Sequence, residues 1–302
     1  MKLIALLIGL LIERIASQLF HLRDLRWLDR LIDSGFRGAA ALRGVPALVP
    51  VIVLTFLFVL PVFLVIFLAG DRLSGYPYMV LAILVLFFSL GPRDIGEDID
   101  EYCKALESGD PEEIRKSAKA LTERDPPSSE AEQIQFVEDA ACVQANNRLF
   151  AVIFWFVLLG PFGAWAYRVS DLIRRRAAFN VSRDGDSETR ERFLRAARLF
   201  HGWLAWLPAR LTALGFALAG SFDGALRVWR TPAEDRDFRS SEQSELLLAR
   251  VGSGALALER REDESDIERA MRGANAVKGL IVRLLIIWAA VIGAMTLYGW
   301  SL

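Results

Sequence analysis

Cysteine and histidine are scarce in this sequence, which contains two of each in 302 residues. Four such side chains are too few for a zinc framework built from paired ligands, so we predict no metal site. The chain also lacks a Walker phosphate loop, a GxGxxG and a GxSxG, which excludes several common enzyme classes. The chain also lacks an excess of positive or negative charge, because 36 Lys and Arg offset 37 Asp and Glu. Without a basic excess, the sequence does not indicate a nucleic-acid partner.

Apolar residues, by contrast, are abundant and occur in long blocks. They make up 53% of the chain and the mean hydropathy is +0.31, although 24% of the residues are charged. A helix needs about 20 apolar residues to cross a bilayer, and four segments are predicted as such spans. The predicted spans are Val45–Ala69, Tyr76–Leu90, Leu149–Tyr167 and Leu280–Trp300. The sequence therefore predicts an all-α polytopic membrane protein that has the lipid bilayer as a partner.

A fifth apolar segment, Trp203–Ala219, contains Pro208 and Arg210. A central Arg costs about 2.5 to 3.5 kcal/mol of insertion free energy, which offsets most of what the apolar residues contribute. We therefore predict an interfacial helix, or one sheltered by neighbouring spans. Arg210 has two interpretations: it binds a phosphate or carboxylate in a wet cavity, or it points at lipid headgroups.

The two ends of the chain leave the sidedness open. The start resembles a signal peptide, but Glu13 and Arg14 interrupt it and no cleavage site follows, so we predict an uncleaved amphipathic helix. Residues 1–44 carry seven Lys and Arg, and three arginines at 174–176 follow the third predicted span. If that span crosses once, these two basic groups lie on opposite sides, and the positive-inside rule gives contradictory answers.

Charged blocks between the spans have helical patterns, with turns predicted at Asp110-Pro111, Thr231-Pro232 and Gly252–Gly254. An acidic helix face near residue 98 is interpreted as solvated rather than as a divalent-cation site. The chain divides into an amphipathic segment, a transmembrane hairpin, an acidic helical loop, a third span with the Arg210 helix, a charged helical block and a final span. In that order, the amphipathic segment is 1–44, the transmembrane hairpin 45–92 and the acidic helical loop 93–148. The third span with the Arg210 helix is 149–221, the charged helical block 222–278 and the final span 279–302.

Polar side chains gather at the ends of the third predicted span. Asn146 and Asn147 precede it, Tyr167 and Arg168 close it, and Glu138 lies about two helical turns before Asn146 on a similar face. Such residues either cap the span at the interface or bind a polar or anionic ligand. The candidate ligand-binding residues are Glu138, Asn146, Asn147, Tyr167, Arg168 and Arg210. The pattern names neither a catalytic residue nor a cofactor.

Three segments carry a resemblance to a known family: GPRDIGEDIDEYCKALESGD (91–110), NNRLFAVIFWFVLLGPFGAWAYR (146–168) and LPARLTALGFALAG (207–220). They resemble the AmpE family of bacterial inner-membrane proteins, and the likeness runs over essentially the whole chain. That family is similar in turn to the CobD/CbiB membrane synthases of cobalamin assembly, which share an F-W…G-P-x-G-A-x-x-Y-R span and a P-A-R-L-T segment. The His-Pro-Val and Ser-Pro-Asn-Ala-Gly segments of the synthases are missing here.

The resemblance implies a multi-pass protein of the Gram-negative inner membrane that is linked to β-lactamase induction and cell-wall recycling. It favours a regulatory or sensory protein that binds a phosphorylated or carboxylated ligand between its helices, with Arg168 and Arg210 holding the anion. The alternative is a membrane enzyme, an ATP-dependent ligase or transferase of the synthase type, with Glu138 as a general base or metal ligand. A structural partner for another membrane protein is a third interpretation.

Overall fold

The computed structural model describes residues 26–40, 45–69, 76–91, 93–122, 126–127, 129–184, 188–231, 240–259 and 261–298. Over these residues the chain forms twelve α-helices, one π-helical turn and no strand, which confirms the all-α prediction. The helices are α1 (Arg26–Ala40), α2 (Leu48–Ala69), α3 (Tyr76–Ser89), α4 (Ile95–Ser108), α5 (Pro111–Thr122), α6 (Glu130–Ala145), α7 (Ala151–Leu159), α8 (Pro161–Asp184), α9 (Glu188–Ala219), α10 (Phe222–Arg230), α11 (Ser240–Leu256) and α12 (Asp266–Leu297). The π turn, Asn146–Phe150, joins α6 to α7. The predicted helix at the start of the chain lies outside the described residues.

Within the described residues, three helical stretches are long and apolar enough to cross a membrane. They are Leu48–Leu68 in α2, Glu132–Leu159 in the continuous α6–α7 helix, and Asp266–Leu297, which is α12. A shorter apolar helix, α3, accompanies them. Many large apolar side chains on α2 and α12 are exposed, among them Phe56 and Ile286, as expected for surfaces that contact lipid. The protein is therefore an all-α membrane protein, as predicted.

The interpretation of Leu149–Tyr167 as one span is corrected by the structure. α7 ends at Leu159, and Gly160 adopts φ +69° and ψ −156°, a conformation open essentially to glycine alone. α8 begins at the next residue, and a Cβ on Gly163 would come within 2.5 Å of the Trp155 carbonyl oxygen. Two glycines thus fold this apolar run into a helical hairpin, because they provide the turn and the close approach after it.

The hairpin returns the chain toward the end of the bundle from which α7 starts. The Trp165 indole N–H donates to the Phe58 carbonyl (3.0 Å), and the rings of Phe162 and Phe63 lie 5.9 Å apart. As the residue numbers rise on α8 they fall on α2, so these two helices run antiparallel. The later part of α8 consequently lies beside the start of α2 and beside α1, which precedes α2 in the chain.

Ion pairs hold the charged helices together at this end. Arg176 of α8 donates to Asp33 of α1 through Nε (2.8 Å), and Asn180 donates to the same carboxylate (2.8 Å). Arg174 of α8 contacts Glu245 of α11 at 3.2 Å. We call this part of the molecule the charged end; it contains α1, α4, α5, α11 and the later part of α8.

Two further predictions about the charged blocks are wrong in part. Gly252–Gly254 is not a break but lies inside α11, where a Cβ on Gly252 would overlap Cys142 Sγ of α6. These glycines permit close helix packing, which local propensity does not reveal. The acidic face of α4 is not fully solvated, since Asp98 is buried and contacts Arg148 at 2.6 Å. The predicted stop and restart at Asp110-Pro111 is confirmed, with α5 beginning at Pro111.

Candidate functional site

A cleft of 1090 Å³ opens among α6, α8, α9 and α11 at the charged end. Its size is slightly above the range for small-molecule sites, which is roughly 300–1,000 Å³. Its cationic side chains are Lys119, Arg174, Arg175 and Arg198, and its acidic side chains are Asp139, Glu242 and Glu245. Gln144 and Asn147 line it as well. We call it the arginine cleft.

Three arginines of α8 converge on one buried carboxylate behind the wall of the cleft, and two of them, Arg174 and Arg175, line the cleft. Asp171 contacts Arg168 at 3.2 Å, Arg174 at 2.7 Å and Arg175 at 2.7 Å. The spacing of three and four residues places all four side chains on one helix face. Burial acts to raise the pKa of Asp171, but the charges of Arg175 and Arg174 outweigh it, and the pKa lies far below its ordinary value. The side chains that line the cleft carry four cations against three anions.

The floor of the cleft is a hydrogen-bonded polar cluster at the π turn. The Asn147 side-chain carbonyl accepts from the Asn146 amide (3.1 Å) and from the Tyr167 hydroxyl (3.3 Å). The Thr212 hydroxyl of α9 donates to the Asn146 side-chain carbonyl (2.9 Å). All four residues are buried, and Asn147 lines the cleft. Single π-helical turns are frequent at functional sites, because they displace side chains from the regular helical positions.

A buried histidine lies behind the arginine wall. The Ser170 hydroxyl is 3.1 Å from His201 Nδ1, and His201 Nε2 is 4.0 Å from Asp171 Oδ1. Burial and the charge of Arg174 together lower the pKa of His201 to about 3, and the opposing effect of Asp171 is smaller. The imidazole is therefore neutral at physiological pH.

The structure brings together four of the six candidate ligand-binding residues. Asn146, Asn147 and Tyr167 form the floor cluster, and Arg168 is buried beside them with Asp171. The other two lie elsewhere. Of the six candidates, Asn147 is the one in the lining of the cleft. Glu138 is buried against α12, where Arg269 contacts it at 2.5 Å. Arg210 is partly exposed on α9 and donates to the Trp206 carbonyl at 3.0 Å.

Sequence reasoning did not select Arg174 and Arg175 as ligand-binding residues, because arginines after an apolar run are typical of membrane topology signals. Their spacing from Asp171 is the signal that could have found them. Among the described residues, no group of three or more His, Cys, Asp or Glu side chains could hold a metal ion.

The family model described as "Regulatory signalling modulator protein AmpE" matches residues 1–301. The chain belongs to the AmpE family. Two curated relatives are both described as "Cobalamin biosynthesis protein CobD". The one from Stutzerimonas stutzeri (strain A1501) is 30% identical over 177 residues, 58% of this chain and 55% of that protein. The one from Chromobacterium violaceum is 29% identical over 172 residues, 55% of this chain and 52% of that protein.

The chain spans about half the length of the curated relatives it matches. No solved structure matches the chain. Two of the three segments that carry the AmpE resemblance meet at the polar cluster of the π turn: residues 146–168 form the π turn, α7 and the start of α8, and residues 207–220 supply Thr212. The family match confirms the AmpE resemblance, and the two relatives confirm the distant similarity to CobD.

Proposed function

We propose that this AmpE-family protein senses a small anionic ligand in the arginine cleft and thereby regulates β-lactamase induction in connection with cell-wall recycling. The observation that supports the proposal is the arginine wall beside an amide floor. Guanidinium groups form charge-assisted, often bidentate hydrogen bonds with carboxylates and phosphates. The amides of Asn147 and Gln144 both donate and accept, which suits sugar and peptide groups of the same ligand. The family description as a regulatory signalling modulator agrees with this role.

The charge pattern supports a cytoplasmic position for the charged end, in the inner membrane of a Gram-negative bacterium. With α8 folded back, the arginines at 174–176 lie at the same end as those of α1. Both basic groups then obey the positive-inside rule, and the contradiction in the sequence disappears. The bound ligand would therefore come from the cytoplasm.

Thiol labelling tests this orientation. Both native cysteines are buried, so an impermeant reagent should give little background on the folded protein. Lys116→Cys places a thiol on exposed α5 at the charged end, and Tyr298→Cys places one just after α12. We expect Lys116→Cys to react only in inside-out vesicles and Tyr298→Cys only in spheroplasts. The reverse pattern would contradict the orientation.

An arginine substitution tests the ligand site. Arg175→Gln keeps a hydrogen-bonding side chain but removes a charge-assisted contact worth about 1.5–3 kcal/mol, so affinity should fall roughly 10- to 100-fold. Binding would be titrated with purified protein in detergent, using peptidoglycan fragments that bear carboxylates and phosphorylated sugars. Arg192→Gln is the matched control, because Arg192 is exposed on α9 and pairs with Glu188 outside the cleft.

The same two variants should differ in β-lactamase induction when cells are challenged with a β-lactam. We expect Arg175→Gln to alter β-lactamase induction, while Arg192→Gln behaves like the wild type at equal membrane levels. Normal induction and normal binding in Arg175→Gln would refute the proposal.

The CobD relatives support a second candidate, a membrane ligase or transferase that acts on an amphipathic or phosphorylated substrate. Glu138 is poorly placed as its base, because Arg269 pairs with it away from the cleft. Purified protein incubated with ATP, Mg²⁺ and amphipathic carboxylates would distinguish the two. Product that forms only with nucleotide would favour the enzyme, whereas ligand binding without turnover would favour the sensor.

A further inference from the structure

The later half of α9 exposes an apolar face that carries a single positive charge. Its large apolar side chains are 37% to 60% exposed and lie at helical spacing. They are Trp203, Trp206, Leu207, Leu211, Leu214 and Leu218. Arg210 lies among them and is partly exposed.

The opposite face of α9 holds the helix against the bundle. Ala205, Ala209 and Ala213 are buried there, and these small residues let neighbouring helices approach closely. Gly215 is tightly packed, since a Cβ at this position would overlap Leu284 of α12. The apolar face is thus fixed outward, because turning it inward would place Trp side chains where only alanine and glycine fit.

The neighbours of α9 identify what covers this face. α9 packs against α2 and against α12, which are both candidate membrane spans with exposed apolar side chains of their own. The outward face of α9 continues the lipid-facing surface between them. Trp203 and Trp206 suit the headgroup level, where tryptophan is enriched. A bilayer interface is therefore the occupant that fits this surface.

Arg210 provides the specific contact. Its guanidinium carbon lies 3.9 Å from the centre of the Trp206 ring, and Nη1 donates to the Trp206 carbonyl at 3.0 Å. Stacking on the indole holds the guanidinium on the apolar face of α9, about one helical turn before its own Cα and beside the tryptophans. Among the described residues, no carboxylate pairs with Arg210 and no other hydrogen bond engages its guanidinium.

We propose that Arg210 and Trp206 form a binding site for the phosphate of an anionic membrane lipid, with the later half of α9 lying in the membrane interface. The lipid phosphate supplies the missing anion, and its acyl chains cover the leucines beside it. This site lies outside the arginine cleft, so it does not depend on the proposed sensor function. Of the two interpretations of Arg210 from the sequence, the structure favours the lipid contact.

Native mass spectrometry of the full-length protein in mild detergent tests the site. Protein would be offered phosphatidylglycerol or phosphatidylcholine with the same acyl chains. We expect the wild type to retain the anionic lipid in preference to the neutral one, and Arg210→Gln to retain roughly tenfold less of it. Arg192→Gln removes one charge from an exposed part of the same helix and should retain lipid as the wild type does.

Three outcomes would overturn the proposal. They are equal retention of both lipids by the wild type, unchanged retention in Arg210→Gln, and displacement of the lipid by millimolar inorganic phosphate, which would indicate a site for soluble anions. Arg210→Lys keeps the charge and serves as a second variant if Arg210→Gln does not fold. It should retain more anionic lipid than Arg210→Gln does, and loss of selectivity in a folded Arg210→Lys protein would also count against a phosphate contact.

Discussion

Replacing His201 by Gln should remove a large part of the pH dependence of stability. His201 precedes the apolar half of α9 and is 2% exposed. Asp171, Arg174 and Arg175 are the charged groups that act on its imidazole. Burial and Arg174 together lower its pKa to about 3, so the folded protein keeps the ring neutral across the acidic range. Once the chain unfolds, water surrounds the ring and its pKa returns to about 6.5.

The sign and size of the effect follow from proton linkage. Between about pH 6.5 and pH 3 the unfolded imidazole binds a proton that the folded one does not, so the free energy of unfolding falls as the pH is lowered. Each pH unit in this window corresponds to about 1.4 kcal/mol. Acidification from pH 7 to pH 5 should therefore cost about 2 kcal/mol through His201 alone, and this contribution is fully present above pH 6.5.

The measurement is thermal or chemical unfolding in mild detergent at pH 7 and pH 5. The wild type should lose about 2 kcal/mol more than His201→Gln, or about 4–8 °C in melting temperature. Ser170→Ala is the matched control, because it removes the 3.1 Å contact to Nδ1 but keeps the titrating ring. Equal pH dependence in the wild type and His201→Gln would refute the reasoning, since it would mean that the folded imidazole titrates as in water.

Two further substitutions test the packing. Gly252→Ala should cost about 1–3 kcal/mol of unfolding free energy, because the added methyl overlaps Cys142 Sγ; Cys142→Ala in the same chain should recover part of the loss, and an unchanged melting temperature would contradict the close packing. Asp98→Asn should cost about 3–5 kcal/mol, because it breaks a buried ion pair by removing the carboxylate charge that lies 2.6 Å from the Arg148 guanidinium. A loss below about 1 kcal/mol would show that water reaches this pair.

Much of the helical framework could be predicted because its signals are local. α2 and α12 contain long runs without charge, and burial of such runs in lipid depends only on composition and length. The junction at Asp110-Pro111 was also predictable, because Gly109 takes φ +70° and Asp110 accepts from the Glu112 N–H at 2.9 Å. Each of these features is determined by neighbours within one turn of helix.

The glycines show where local signals fail. Gly160 is embedded in an apolar run, and membrane helices tolerate glycine and proline well, so the sequence favours an uninterrupted span. Whether the chain turns there depends on Gly163 meeting the Trp155 backbone after the turn. Gly252 presents the opposite case, since it looks like a break but remains helical because Cys142 packs on it. In both cases a tertiary contact decides the outcome.

In the candidate site, too, local sequence signals predict some positions and tertiary packing determines the others. Asn146, Asn147 and Tyr167 stand out in the sequence as polar residues at the two ends of one apolar run. A straight span would hold these ends apart, and the turn at Gly160 is what brings Tyr167 to Asn147. The sequence groups Arg210 with them because it is a charge inside an apolar segment and because the family resemblance includes it. Its position depends on which face of α9 carries alanines, and that face is selected by packing against other helices.

The folded-back α8 has a consequence for sensing that a straight third span would not have. A single crossing would place the later part of α8 across the membrane from α6, and the arginines at 174 and 175 could not share a cleft with Asn147. The hairpin joins them, and it also places the cleft in the compartment that α1 faces. If that compartment is the cytoplasm, a fragment from the wall must enter the cell before this protein can bind it. A reversed labelling pattern would leave the cleft intact but would require a periplasmic ligand.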